Sequence, residues 1–328
     1  MAENKMRDGI IKRGKTWTYM VRERDPETGT TKQRWVGGFR TREEAKEARD
    51  KARNNVRRGT YAAPSRVTVA EWLDRWLAAQ VHLRPKTRDG YVQKIEDYIK
   101  PKLGTERLQA LSAERLTAVW AELVESGGKN GKPLAVTTVA PCRMILRKAC
   151  KDAQGAAGGR LLEVNPVDGS KVPKGGRKHN AISSWTPEEQ AVFLASPVVL
   201  ASRWRPVWAL ALATGMRRGE LCGLRWQDVD FAEGIVRAER SCVQIGKEII
   251  TNDTTKTGTV RRIAIDRTTL GMLRELRKQQ AAERLAMGGA WGNDEDLVFV
   301  WPDGSRVTPD YVTKRFIDEQ EARRPEKQ

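Results

Sequence analysis

Hydrophobic and polar residues change period along the chain, and each change marks a different kind of element. Near the N-terminus the period is two. Ile10-Ile11-Lys12-Arg13 and Thr16 to Arg22 alternate as half-buried strands do, and Lys32 to Val36 resumes as a third strand that Gly37-Gly38 ends. Between them, Asp25-Pro26-Glu27-Thr28-Gly29 supplies turn chemistry, because proline presets φ and glycine admits positive φ. Thr41 with Glu44 three residues later has the form of a capping box, and it opens a helix through Ala45, Ala48 and Ala52. Residues 1–63 are therefore expected to form three strands and one helix, and Gly59 to Ser65 a linker.

From Thr68 the period becomes helical. Val69, Trp72, Leu73, Trp76 and Leu77 form one apolar stripe. A second helix follows Pro85-Lys86-Thr87, carries Tyr91, Ile95, Tyr98 and Ile99, and is closed by Pro101. Ser112 caps a third, with Leu116, Val119, Trp120 and Leu123 inward, ended by Gly127-Gly128. Thr137 to Ala153 makes a fourth. Four amphipathic helices over residues 66–170 predict a helical bundle. Asn165 to Gly169 and the basic, glycine-rich stretch Lys171 to Lys178 mark the next boundary. Thr186-Pro187-Glu188-Glu189 then starts the helix of a third domain, residues 179–328, with the cap, the proline and the acids where a helix N-terminus wants them. The expected fold is multidomain and mainly α, with small antiparallel β-sheets: a β+α module, a helical bundle and an α+β domain.

Charge narrows the function. The 328 residues carry 60 Lys+Arg against 42 Asp+Glu, a net charge of +18. A surplus of this size implies a polyanionic partner, nucleic acid before membrane surface. No run approaches the ~20 apolar residues of a membrane span, and Met1 to Lys5 opens no secretory signal, so a cytoplasmic protein without a membrane partner is expected. Cys142, Cys150, Cys222 and Cys242 form no CxxC pair, and with two histidines in the chain they read as buried reduced thiols rather than a metal site. Residues 1–63 hold 17 Lys+Arg and 9 Asp+Glu, with basic residues interleaved among Trp17, Tyr19 and Trp35 on strands that could lie in a DNA groove. Arg13, Lys15, Arg22 and Arg34 of this module, Lys86 and Arg88 of the bundle, and Arg261 are the expected DNA contacts.

Candidate chemistry sits in the third domain. An apolar helix, Trp204 to Ala213, reaches Thr214-Gly215-Met216-Arg217-Arg218-Gly219-Glu220-Leu221. An arginine directly after a glycine bend, with Glu220 close enough to hold it, is presented to an oxyanion such as phosphate; the alternative is an ordinary internal Arg–Glu pair. Strands at Gly234 to Arg237, Cys242 to Ile245 and Glu248 to Ile250 lead to Thr254 to Ile265, which places Lys256 before a glycine turn at a hairpin tip.

These residues carry a resemblance. Thr214 to Leu224, followed by Trp226 to Asp230, resembles the first-arginine box of the tyrosine recombinases, the phage integrase family. Thr255-Lys256-Thr257 with Arg261-Arg262 resembles that family's lysine-bearing β-hairpin, and Leu161 to Pro166 the join between its core-binding and catalytic domains. Residues 1–63 resemble its arm-site-binding domain. The resemblance implies site-specific DNA recombination and integration through a phosphotyrosyl intermediate. In that chemistry Arg217 clamps the scissile phosphodiester, Lys256 is the general acid for the departing 5′ hydroxyl, and Glu220 supports the arginine. It implies no metal and no cofactor. The implied partners are double-stranded DNA at arm and core sites, further protomers on synapsed DNA and a DNA-bending accessory protein, in the cytoplasm of a bacterial host.

The family pattern continues with a His-x-x-Arg box, a further His or Trp and a tyrosine nucleophile. The chain instead runs from Thr308 to Phe316 to Gln328, and both of its histidines, His82 and His179, lie upstream of Arg217. Tyr311 precedes the expected place of the box and is read as a packing residue, which leaves the nucleophile unassigned. The expectation is an incomplete catalytic domain that binds DNA but does not cleave alone. The competing expectation is a non-enzymatic DNA-binding regulator or competitor derived from an integrase; an RNA-binding or architectural protein explains the charge but not the Arg217 box.

Overall fold

In a computed structural model of the chain, residues 8–24, 30–155, 159–174, 184–252 and 259–322 are described. The contacts divide the chain into two units, residues 1–178 and 179–328.

The first unit opens with an antiparallel meander, β1 (Ile10–Arg13), β2 (Thr16–Arg24) and β3 (Thr31–Phe39), with β2 in the centre. Contrary to expectation, Gly37-Gly38 does not end the third strand. The pairing shifts by one residue between Trp17 and Thr18, and β3 runs on to place Phe39 opposite Trp17. A Cβ on Gly37 would lie 2.7 Å from the Thr18 hydroxyl, and Gly38 takes φ +102°, so the glycines serve a bulge within the strand. The turn expected at Asp25 to Gly29 lies outside the described residues. Helix α1 (Arg42–Arg58) packs Ala45 and Ala52 onto Ile10, Tyr19 and Val21. Thr41 caps it by accepting the Glu44 N–H at 3.1 Å, but Glu44 reaches back to the N–H of Arg40, one residue earlier than a capping box requires. Tyr61, from the expected linker, is buried in this same core.

The bundle consists of α2 (Val69–Ala79), α3 (Pro85–Lys94), α4 (Lys100–Leu103), α5 (Ala113–Ser126) and α6 (Val136–Gln154). The stripe Val69, Trp72, Leu73, Trp76 and Leu77 is buried throughout, against Ile95, Ile99, Trp120, Ile145 and Leu146. Pro101 does not close the second helix. A π turn at Ile95–Ile99 separates α3 from α4 and re-registers the hydrogen-bond ladder, so the proline falls in the first turn of α4, where no N–H is needed. Asn165 to Gly169 was expected in a boundary, yet it packs into the bundle. Val167 is fully buried, and Arg143 donates to the carbonyls of Val167 and Ser170 at 3.0 and 3.1 Å. Trp120 donates its indole N–H to the Ser170 hydroxyl.

The second unit contains α7 (Pro187–Leu194), α8 (Pro197–Leu200), α9 (Arg205–Thr214), α10 (Arg218–Cys222), β4 (Val229–Asp230), β5 (Ile235–Ala238), β6 (Ser241–Ile245), β7 (Glu248–Asn252), β8 (Arg261–Ala264), α11 (Arg267–Met287) and α12 (Pro309–Ala322). Thr186 and Glu189 complete the capping box of α7. The sheets are β4-β5-β8 and the hairpin β6-β7. The expected lysine-bearing hairpin is therefore different in kind. The described strands before and after Lys256 pair in different sheets, β7 with β6 and β8 with β5, and not with each other. Helix α10 lies against β6 at glycine distance: a Cβ on Gly219 would meet the Cys242 carbonyl at 2.4 Å and the Ser241 hydroxyl at 2.7 Å.

All four cysteines are free and buried. Burial pushes Cys142 up to about 11 and Cys150 and Cys222 up to about 12. The folded thiols thus hold their protons above the ordinary value of 9.0, whereas the unfolded ones release theirs near it. This contribution to stability is complete below about pH 9 and is lost as pH rises towards about 12. Urea midpoints should therefore fall between pH 9 and 11, and replacing Cys150 by Ala should flatten the fall; unchanged slopes would refute the assignment. Gly219→Ala should cost on the order of 1–3 kcal/mol in denaturant unfolding, because a backbone carbonyl cannot move aside as a side-chain end can. A neutral substitution would mean that α10 is free to lift off β6.

Candidate functional site

Helix α9 ends at Gly215, which takes φ +61° and donates its N–H to the Ala211 carbonyl at 2.9 Å. That left-handed residue reverses the chain, Met216 is buried as an anchor, and Arg217 arrives as the N-cap of α10. The site is built on the third residue of α10, Glu220. One carboxylate oxygen accepts the Arg217 Nη1 at 2.8 Å; the other accepts the Arg217 backbone N–H at 2.9 Å and the Nη2 of Arg261, from β8. The Glu220 side chain is 1% exposed, that of Arg217 53% and that of Arg261 36%. The alternative of an ordinary internal pair thus fits only the acid: the carboxylate is interior, while half of the Arg217 side chain stands in solvent.

Charge balance follows. One carboxylate faces two guanidinium groups that cannot lose their protons, so the cluster keeps a net positive charge beside an exposed fork of N–H donors. That is what an oxyanion requires. Arg218 turns the other way, donating to Thr313 at 2.8 Å and pairing with Asp310 at 3.2 Å on α12. The same unit holds further contacts that sequence spacing did not suggest. Arg240 grips the buried Asp228 carboxylate at 2.6 and 2.8 Å, and Asp228 also accepts the Arg225 N–H. Arg306 bridges Glu295 and Thr251 at 2.7 and 2.6 Å. The side-chain partners of Arg240 and Arg306 are 11 to 55 residues away in the chain, and no local periodicity records them.

Of the candidate residues, Arg217, Glu220 and Arg261 are brought together. Arg261, expected as a DNA contact, donates its Nη2 to Glu220. Lys256 lies outside the described residues. Tyr311 packs its ring 4.7 Å from that of Trp301 and 5.4 Å from that of Trp204, as a core residue does. In the first unit, Arg13 and Arg22 share the sheet face that α1 does not cover, since Arg13 pairs with Thr16 and Arg22 stands at even spacing from it. The Arg13 guanidinium lies 4.7 Å from the Trp35 ring centroid on that face. Arg34 is exposed, but it pairs with Val21 and so stands on the helix-covered face. Arg34 therefore does not share the face of Arg13 and Arg22, because Trp35 takes the open side opposite Met20. Lys15 is exposed in the β1–β2 turn. On α3, Arg88 is exposed and Lys86 is held by Asp89 at 3.0 Å.

Among the described residues no helix is long and apolar enough to cross a membrane, and no group of three or more His, Cys, Asp or Glu is arranged to hold a metal ion.

Residues 189–322 match the phage integrase family, and residues 10–56 match an arm DNA-binding domain. A XerC-like tyrosine recombinase of Caldanaerobacter subterraneus is 25% identical over 80% of this chain and 68% of its own length. The ICEBs1 integrase of Bacillus subtilis is 23% identical over 73% of this chain and 62% of its own length. The integrase of Escherichia phage HK022 is 26% identical over 50% of this chain, and the match spans 43% of that protein. Among solved structures, the Tn1549 transposon integrase in complex with a circular intermediate DNA superposes with a TM-score of 0.60 at 17% identity, covering 80% of this chain and 82% of that one. A lambda integrase dimer bound to a COC' core site does so at 0.56 and 21%, covering 98% and 83%. Arginine box, buried acid and fold agree with that match, and the domain over residues 189–322 belongs to the phage integrase family.

Proposed function

We propose that this chain acts in site-specific DNA recombination and integration by tyrosine recombinase chemistry. The observation that carries the reading is the Arg217–Glu220 pair, an exposed guanidinium held by a buried carboxylate at the head of α10. Residues 1–63 bind arm-type sites, residues 66–170 form the core-binding domain, and residues 179–328 belong to the catalytic domain. Duplex DNA is the substrate, with further protomers on synapsed sites and a DNA-bending accessory protein as partners, in a bacterial cytoplasm.

In the reaction, Arg217 binds the non-bridging oxygens of the scissile phosphodiester and stabilises the charge that builds on them. A tyrosine hydroxyl attacks phosphorus, the bond to the 5′ oxygen breaks, and Lys256 gives that oxygen its proton. The phosphotyrosyl bond keeps the phosphoryl group activated for rejoining, so no metal or nucleotide enters the scheme. Arg13 and Arg22, with Lys15, face arm DNA from the open sheet, and Lys86 and Arg88 meet core DNA from α3. The packed ring of Tyr311 favours a second reading, a DNA-binding regulator or competitor built on the same scaffold.

Two measurements test this. Duplexes selected from random sequence should fall into two classes, and deleting residues 1–63 should remove one class and keep the other. For each, log affinity should fall linearly with log salt, with a slope of about 0.9 per phosphate contacted. Retention of every site after the deletion would refute two-site binding. On a nicked core duplex, a polypeptide of these 328 residues should bind without forming a denaturant-resistant adduct. Fusing on an integrase His-x-x-Arg box and its tyrosine-bearing helix should produce the adduct, and Arg217→Ala should then abolish it. An adduct at Tyr311 would overturn the packing assignment; a fusion that binds and never cleaves would decide for the regulator.

A further inference from the structure

The Glu220 carboxylate poses a problem for its own arginine. A carboxylate and a guanidinium left alone close into a bidentate pair of two parallel hydrogen bonds. Such a pair would take a second donor of Arg217 out of reach of any ligand and cancel its charge. The pair here is not closed. Glu220 gives Arg217 a single side-chain contact, Nη1 to Oε1 at 2.8 Å, while Oε2 is occupied by the Arg217 main-chain N–H at 2.9 Å and by Arg261 Nη2. Among the described residues, Arg217 makes no other side-chain hydrogen bond. Arg261 is well placed for this task, because β8 is fixed by pairing with β5, Ala238 opposite Arg261 and Arg237 opposite Arg262.

We propose that Arg261 is a positioning residue for Arg217. By occupying one oxygen of the buried Glu220, it keeps the acid from closing on Arg217 and leaves the Nε–Nη2 edge, with the cluster's surplus positive charge, to an incoming phosphodiester. Arg261 acts on the acid and does not touch the phosphate. The inference rests on the reading of Arg217 as the phosphate-binding residue, and it assigns Arg261 a task other than the general DNA contact expected of it.

The test follows the Arg217 Nε–H resonance of arginine-labelled chain during titration with inorganic phosphate at constant ionic strength. Loss of the signal in Arg217→Lys assigns it. The wild-type resonance should shift saturably. Arg261→Met should weaken that response about tenfold, the worth of one charge-assisted hydrogen bond, and Arg261→Lys should recover most of it. The decisive variant is the double one. If Arg261 serves to restrain an acid, neutralising the acid removes the need, so Glu220→Gln with Arg261→Met should respond better than Arg261→Met alone. A purely structural Arg261 predicts the reverse, a further loss. Where Arg261→Met does not fold by circular dichroism, Arg261→Gln takes its place, since its amide keeps one donor to the carboxylate without the charge. Unchanged phosphate response in the Arg261 variants, or a double variant weaker than the single, overturns the proposal while leaving the role of Arg217 intact. A wild-type Arg217 signal that ignores phosphate sinks both.

Discussion

A single buried carboxylate organises the second unit. Removing an ionised acid from water costs several kcal/mol unless its lone pairs are met by donors, and Glu220 is 1% exposed. Its partners are the main chain and side chain of Arg217 and the side chain of Arg261. Those donors come from the head of α10 and from β8, whose ends are otherwise separate in sequence. Satisfying one acid therefore fixes where a helix begins, where a strand passes and which way an arginine points.

That arrangement needs α10 close to the sheet, and glycine makes it possible. Gly219 sits where a side chain would strike the Cys242 carbonyl, and a Cβ on Gly223 would press the Cys242 sulfur at 3.3 Å. Helix α10 can thus lie almost on the backbone of β6, which brings Glu220 within reach of β8. The thiols of Cys222 and Cys242 are buried in the same layer, and that burial raises the pKa of both.

The basic surplus divides by environment. Arg240, Arg306 and Arg203 are spent on acids within the second unit and are largely buried. They are part of the scaffold. Arg13, Arg22, Arg88 and Arg217 stand in solvent, and a solvated cation is the kind that can exchange counterions for phosphates. A net charge of +18 says that such residues exist; burial says which ones they are.

The amino-acid sequence by itself determined what local physics controls. The stripe from Val69 to Leu77, the caps at Ser112 and Thr186, and the bend before Arg217 all depend on neighbours within one or two helical turns, and each is in place. Glu220 is three residues from Arg217, and that pairing was legible for the same reason. Tertiary structure decided the rest. Arg261 meets Glu220 across 41 residues, a separation at which spacing carries no geometric information. A one-residue slip at Trp17 carries β3 through its glycines. Cross-strand register, not composition, puts Arg34 on the covered face and Trp35 on the open one, because alternate residues of a strand must face opposite sides and only the partner strand sets which.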